Sequence, residues 1–145
     1  MAAPSEIWNK LLEVDSAGGT LSDEARTILR VNKLACDLDQ GGLSGWLYNV
    51  SPVDWSRRWL ELRAVVLALG HVGLPELAAA LTGLADVLEA RAPRGSSSWG
   101  EVLEGAEVKA SISEVEASLE AADEALWATL ERFTLEASRA GHLPR

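Results

Sequence analysis

DLDQGGLSGWLYNVS, at residues 37–51, interrupts a helical pattern with two adjacent glycines. Both glycines can adopt left-handed backbone angles that are costly for other residues, so the chain can turn sharply here. A Gly-Gly pair between helices is most often a plain connector. This pair also lies among polar and aromatic side chains, so we treat the turn as a candidate site. It comprises Asp39, Gln40, Gly41, Gly42, Trp46, Tyr48 and Asn49.

Two helices are predicted before this turn. Apolar residues at helical spacing predict the first over residues 5–14. The second begins at Thr20 or Ser22, either of which can accept a hydrogen bond from a backbone N–H of the first turn. It ends at the glycine pair. Cys36 lies in this second helix, where its leucine neighbours predict a small buried thiol.

Further helices are predicted after the turn. Residues 43–49 are expected to form one or two helical turns. The sequence Ser-Pro-Val-Asp at residues 51–54 is a strong helix start, and another helix begins at Pro75. Ser113, with Glu116 three residues later as a capping box, predicts the start of the last long helix.

The fold class follows from these elements. No stretch of useful length alternates apolar and polar residues as a half-buried strand would. The 145 residues, 48% of them hydrophobic and 24% charged, suffice for one globular domain with a single core. We therefore predict an all-α fold in which residues 1–145 form one compact, single-domain bundle of about five to six helices.

The formal net charge of −9 limits the kinds of partner. It argues against direct binding to nucleic acid or to an anionic membrane, since both are held by Lys and Arg. It favours a basic partner, or it serves solubility alone. The absence of a signal peptide and of a long apolar run indicates a cytoplasmic protein. One cysteine and two histidines form no metal-ligand set, and no cofactor is implied.

The acidity is concentrated in residues 101–136, which hold ten acids and two bases. On a continuous helix, five of these acids share one sector about a quarter-turn wide. Neighbouring carboxylates repel each other slightly, and their spacing is comparable to that of DNA phosphates. This face is either solvated surface or a site for a basic protein. The candidate partner-binding residues are Glu116, Glu120, Asp123, Glu124, Trp127 and Glu131.

Three segments together resemble the small, acidic, bacterial DNA-mimic protein family, most of whose members have no assigned function. The family's Asn-Gly-Gly-Phe motif corresponds to Asp-Gln-Gly-Gly-Leu at residues 39–43. Its aromatic residues and Asn-Ser pair correspond to Trp-Leu-Tyr-Asn-Val-Ser at residues 46–51. Asp-Glu-Ala-Leu-Trp at 123–127 corresponds to its late Asp-x-x-Phe/Tyr-type segment. Gln40 and Leu43 depart from the motif, and one residue separates the Asn-Ser pair. The resemblance implies an all-α fold and binding to DNA-binding proteins in place of DNA.

The leading hypothesis is a non-catalytic protein that binds a basic partner through the acidic surface of its C-terminal half. In its sharper form it is a DNA mimic, and the partner is a DNA-binding regulator or nucleoid protein. An immunity-type protein that neutralises a basic toxin would use the same acidity. A small-molecule-binding module lined by tryptophans is a third alternative, and tryptophans left outside the core would allow a homodimer. No nucleophile–base spacing or phosphate-binding loop supports an enzyme.

Overall fold

The computed structural model describes residues 2–48, 55–91 and 99–144, with the backbone alone described for residues 48, 55–59 and 99. This part of the chain contains seven helices and no strand, so the predicted all-α fold is confirmed. None of the described helices is long and apolar enough to cross a membrane. The helices are α1 (Pro4–Ser16), α2 (Asp23–Tyr48), α3 (Trp55–Val72), α4 (Pro75–Ala90), α5 (Trp99–Glu104), α6 (Ala106–Ala121) and α7 (Asp123–Arg139).

Local chemistry sets two of the predicted helix starts. The Ser22 hydroxyl accepts a hydrogen bond of 3.1 Å from the Ala25 backbone N–H, which caps the beginning of α2. Pro75 is the first residue of α4, as predicted. Gly73, just before it, has a φ of 97°, which other residues rarely adopt. The start predicted at residues 51–54 lies outside the described residues.

Helix α2 is central to the bundle, because it contacts α1, α3, α6 and α7. Helix α4 completes the core by packing against both α3 and α6. Leucine dominates this interior because its side chain fills the space between helices without bringing in a polar atom. The largest fully buried side chains are Leu11, Ile28, Leu43, Leu47, Leu62, Leu69, Leu81, Leu84, Leu88, Leu103, Leu126 and Leu130. This core holds α2, α6 and α7 together, and these three helices form the candidate site.

The last helix predicted from the sequence is divided in two. Ser113 was expected at its start and instead lies inside α6, so the predicted capping box with Glu116 is wrong. Ala122 separates α6 from α7 with a φ of −101° and a ψ of 3°. Both pieces bury apolar residues, for example Val115 of α6 and Leu126 of α7. Periodicity missed the break because alanine favours helix, whereas tertiary packing places α6 on α4 and α7 on α2.

Cys36, which the sequence predicts to be buried, is exposed, so that prediction is wrong. Its neighbour Ala35 takes the core-facing position instead. One residue along a helix rotates the side chain by about 100°, which is enough to move it from the core to the surface. Partial desolvation and the nearby carboxylates of Asp39 and Asp37 raise the pKa of the Cys36 thiol above its ordinary value.

Candidate functional site

Gly42 breaks helix α2 at the position that the sequence predicts. Its φ of 67° and ψ of −177° lie in a region of backbone conformation that is essentially restricted to glycine. The preceding residue, Gly41, remains helical. A short helical segment over residues 43–48 follows the break. Like any helix start, this segment leaves its first backbone N–H groups in need of acceptors.

A side chain from α6 supplies one such acceptor. Glu116 Oε1 accepts hydrogen bonds from the backbone N–H and from the hydroxyl of Ser44, each 2.9 Å long. The partial positive charge at the start of a helical segment favours a carboxylate in this place. Glu116 is one of the predicted partner-binding residues, and its carboxylate makes an internal contact that joins α6 to the Gly42 break.

One open cavity of about 500 Å³ is lined both by residues of the glycine turn and by acidic residues of the C-terminal half. The sequence predicts these two features separately. Helices α2, α6 and α7 all contribute to its lining, which combines apolar residues with four carboxylates. The lining residues are Leu38, Asp39, Gly42, Leu43, Glu116, Leu119, Glu120 and Asp123. The sequence places Asp39 in the turn and gives no sign that it lies beside the acids of α6 and α7, because that contact depends on tertiary packing.

Asp39 of α2 and Asp123 of α7 both line this cavity, and the charge of one carboxylate acts on the other. Partial desolvation of Asp123, the charge and hydrogen bond of Asp39, and the charge of Glu124 raise the pKa of Asp123 above its ordinary value of 3.8. Carboxylates this close repel each other when both are ionised. The described residues nevertheless include no group of side chains placed to hold a metal ion.

The carboxylates at this surface have no basic partner among the residues that the structure describes. Among the described residues, ion pairs involve other acids, and Arg63, for example, binds Asp86 and Glu89 at 3.2 and 2.7 Å. Glu120, Glu124 and Glu131 are also exposed. The acids without a basic partner in the described part of the chain include Asp39, Glu116, Glu120, Asp123, Glu124 and Glu131.

Trp127, one of the candidate partner-binding residues, packs against α1 instead of lining the cavity. Its ring lies 5.8 Å from that of Trp8, centroid to centroid, at an interplanar angle of 46°. The Trp8 indole N–H donates a hydrogen bond of 2.9 Å to the Thr134 hydroxyl, which in turn donates to the Leu130 carbonyl. Trp127 is therefore half-buried between α1 and the core, and only part of its ring is open to a partner.

The remaining residues of the predicted turn site are placed differently from one another. Trp46 is buried in the core, with 6% of its surface exposed, so it serves packing. Gln40 and Gly41 are exposed and do not line the cavity. The Tyr48 side chain and Asn49 lie outside the described residues.

A sequence model of the DMP19-like protein family matches residues 19–140. The chain belongs to the DMP19-like protein family. The matched range includes every residue that lines the cavity and extends through α7, while α1 lies outside it. Membership in this DNA-mimic family supports a function of the DNA-mimic type. Neither curated proteins nor solved structures gave a significant match to the chain.

Proposed function

We propose that this DMP19-like protein is a non-catalytic DNA mimic that binds a basic DNA-binding protein through the carboxylates around the acidic cavity. The observation that carries the proposal is the set of acids on three helices without a basic partner in the described part of the chain. Glu124 and Glu131 extend this set along α7. They are seven residues apart and so lie on the same helix face, about 10 Å from each other.

A surface that has evolved to bind phosphates can also bind these acids. DNA-binding proteins hold the phosphate backbone through Lys and Arg. Carboxylates one helical turn apart are separated by roughly 5–6 Å, and successive phosphates along a DNA strand are also several ångströms apart. Because Glu120, Glu124 and Glu131 make no ion pair within the described part of the chain, a basic partner can bind them without first breaking a salt bridge.

Repulsion inside the site adds to this argument. In the free protein, the charge of Asp39 opposes ionisation of Asp123. A Lys or Arg placed between them would favour the ionised form of both carboxyl groups. Relief of the repulsion would then contribute to binding. The Glu116 carboxylate has a different role in this proposal, since its bonds to Ser44 hold the surrounding helices in place.

The proposal is tested by capturing partners from a lysate of the source organism. The site variant combines Glu120→Gln, Asp123→Asn, Glu124→Gln and Glu131→Gln. The control variant combines Asp23→Asn, Glu76→Gln, Glu114→Gln and Glu136→Gln, four exposed acids that lie outside the cavity. Each variant removes four negative charges and moves the formal net charge from −9 to −5.

We expect the wild type and the control variant to capture a DNA-binding protein that duplex DNA displaces, and the site variant to lose it. Equal capture by the two variants would refute the assigned site, because general acidity would then explain the binding. A basic protein that duplex DNA fails to displace would favour the immunity-type alternative. The salt dependence of capture checks the electrostatic basis, since a phosphate mimic should bind more weakly as salt increases.

A further inference from the structure

A second, basic groove lies beside α2 in this acidic protein. It has a volume of about 380 Å³ and is bounded by α2, α3 and the end of α1 with the loop that follows. Arg26, Arg30 and Lys33 of α2 line it. Their spacing of four and three residues brings all three cations to one helix face. Asp15 and Glu61 are the acids of the lining, so the groove has a net charge of +1 while the whole chain carries −9.

The three cations of this groove have N–H donors that make no hydrogen bond with the described residues. Of the Lys and Arg residues whose side chains the structure describes, only Arg26, Lys33, Arg132 and Arg139 have no acidic partner, and two of these four line the groove. Arg30 donates to Glu61 through Nε, at 3.2 Å. Its two terminal nitrogens make no hydrogen bond with the described residues. The ion pair therefore orients the Arg30 guanidinium and leaves its outer edge available.

These donors suit a phosphate group. The planar fork of a guanidinium matches two phosphate oxygens, and Lys adds a compact positive charge. Leu21 and Leu29 also line the groove and provide an apolar surface for an organic group next to the phosphate. The volume is within the range of about 300–1,000 Å³ that is typical of small-molecule sites. A long polyanion would be repelled by the acidic remainder of the protein, so a small anion fits better than nucleic acid.

We propose that this groove binds a small phosphate-bearing molecule, with its phosphate held by Arg26, Arg30 and Lys33. Two kinds of ligand carry such a phosphate: inorganic phosphate itself, and an organic phosphate monoester such as a mononucleotide. The proposal does not rest on the DNA-mimic function. Asp39 is nine residues from Arg30, which places it about 180° around α2, so the groove and the acidic cavity lie on opposite sides of that helix.

The test is a titration of the folded protein at constant ionic strength, followed by two-dimensional ¹H–¹⁵N NMR. The probes are inorganic phosphate, adenosine 5′-monophosphate and adenosine. The groove variant combines Arg26→Gln with Lys33→Gln, and the control variant combines Arg132→Gln with Arg139→Gln. Each removes two exposed cations that have no acidic partner in the described part of the chain, and each moves the net charge from −9 to −11. Thermal unfolding of both variants confirms that they fold.

We expect saturable shifts in the first half of α2 for phosphate and for the monophosphate, with affinity reduced by about tenfold or more in the groove variant alone, because two charged donors are lost. Tighter binding of the monophosphate than of phosphate identifies an organic phosphate as the ligand, and equal binding identifies inorganic phosphate. Shifts that do not saturate, equal losses in the two variants, or binding of adenosine as strong as that of its monophosphate would each overturn the proposal.

Discussion

Two hydrogen bonds of 2.9 Å join the carboxylate of Glu116 in α6 to the backbone N–H and the hydroxyl of Ser44, across 72 residues of sequence. The contact fastens the acidic end of α6 to the break in α2, next to Asp39. The helix backbones around the cavity are thereby held in a fixed arrangement. A preorganised surface loses less conformational entropy on binding than a mobile one. Fixed positions of the carboxylates therefore favour binding to a protein surface that is shaped for the regular spacing of phosphates.

Removing this contact should destabilise the protein. Glu116→Ala leaves the Ser44 N–H at a helix start without its acceptor, and we expect a loss of about 1 kcal/mol in the free energy of unfolding. Glu116→Gln keeps an acceptor oxygen and should lose less. Urea denaturation measures both. Glu120→Ala is the control, because Glu120 is exposed and unpaired in the described structure, and it should change stability by less than about 0.5 kcal/mol. Equal stability of Glu116→Ala and the wild type would contradict the capping role.

The two adjacent glycines should respond to alanine in opposite directions. Gly42→Ala forces a Cβ into a glycine-only conformation and should cost about 1–3 kcal/mol, although the nearest atom, Glu116 Oε1, is 3.6 Å away. Gly41 is helical, and no atom lies within 4 Å of a Cβ placed there. Gly41→Ala should therefore stabilise the protein by up to about 1 kcal/mol. Thermal unfolding distinguishes the two, and similar destabilisation by both would argue against the described break.

The stability of the protein should depend on the ionisation of Asp123. Its pKa is raised in the folded state, so ionisation destabilises the fold at neutral pH, and the effect disappears as the pH falls through the folded pKa to below 3.8. Asp123→Asn removes the effect, so the stability gained by the variant relative to the wild type should shrink on acidification. Urea denaturation from pH 7 to pH 4 gives this difference. In a ¹³C NMR titration, Asp39→Asn should lower the pKa of Asp123, and no change would show that Asp39 does not contribute to the raised pKa.

The anchor of α1 can be tested at Thr134. Thr134→Val keeps the shape of the side chain but removes the acceptor of the Trp8 indole N–H, and we expect a loss of about 1–2 kcal/mol. Thr134→Ser retains the hydroxyl and is the control for that hydrogen bond. Denaturation followed by tryptophan fluorescence measures stability and also reports on the Trp8–Trp127 pair. A loss with Thr134→Ser as large as with Thr134→Val would show that the methyl group matters more than the bond.

Cys36 provides a chemical test of both its exposure and its electrostatic surroundings. Its thiol should react with an aromatic disulfide reagent in the native protein, but slowly, because desolvation and the charges of Asp39 and Asp37 raise its pKa above 9.0. Asp39→Asn should increase the thiolate fraction and the rate at neutral pH. Reaction only after denaturant is added would show that the thiol is buried, as the sequence first suggested.

Much of the fold could be predicted from local chemistry. Ser22, Pro75 and the glycine break are signals contained in a few residues, and each marks a boundary that the structure confirms. Leucines of α4 at helical spacing, Leu77, Leu81, Leu84 and Leu88, are buried in the core. The break at Ala122 could not be predicted, because no residue there disfavours helix. The burial predicted for Cys36 is wrong, because leucine neighbours alone do not show which of two adjacent helix residues faces the core.

The candidate site could be predicted only in pieces. The sequence identifies the turn with Asp39 and the acids from Glu116 to Glu131 as separate features. The packing of α6 and α7 on α2 brings Asp39 close to Asp123 and Glu116 to the backbone N–H of Ser44. The basic groove could not be predicted for the same reason, because Glu61 of α3 and the loop after α1 complete it. Contacts between segments that are distant along the chain produce no pattern in a short stretch of sequence, so they could not be predicted.

Helix α2 separates a basic groove from an acidic cavity, and this arrangement gives the protein an electric dipole moment across that helix. In the field of a charged macromolecule, a dipole experiences a torque that turns one side towards the other molecule before contact. A basic protein approaching in solution would therefore meet the acidic side more often than chance allows. This orienting effect raises the rate of productive encounters and weakens as ionic strength shortens the reach of the field.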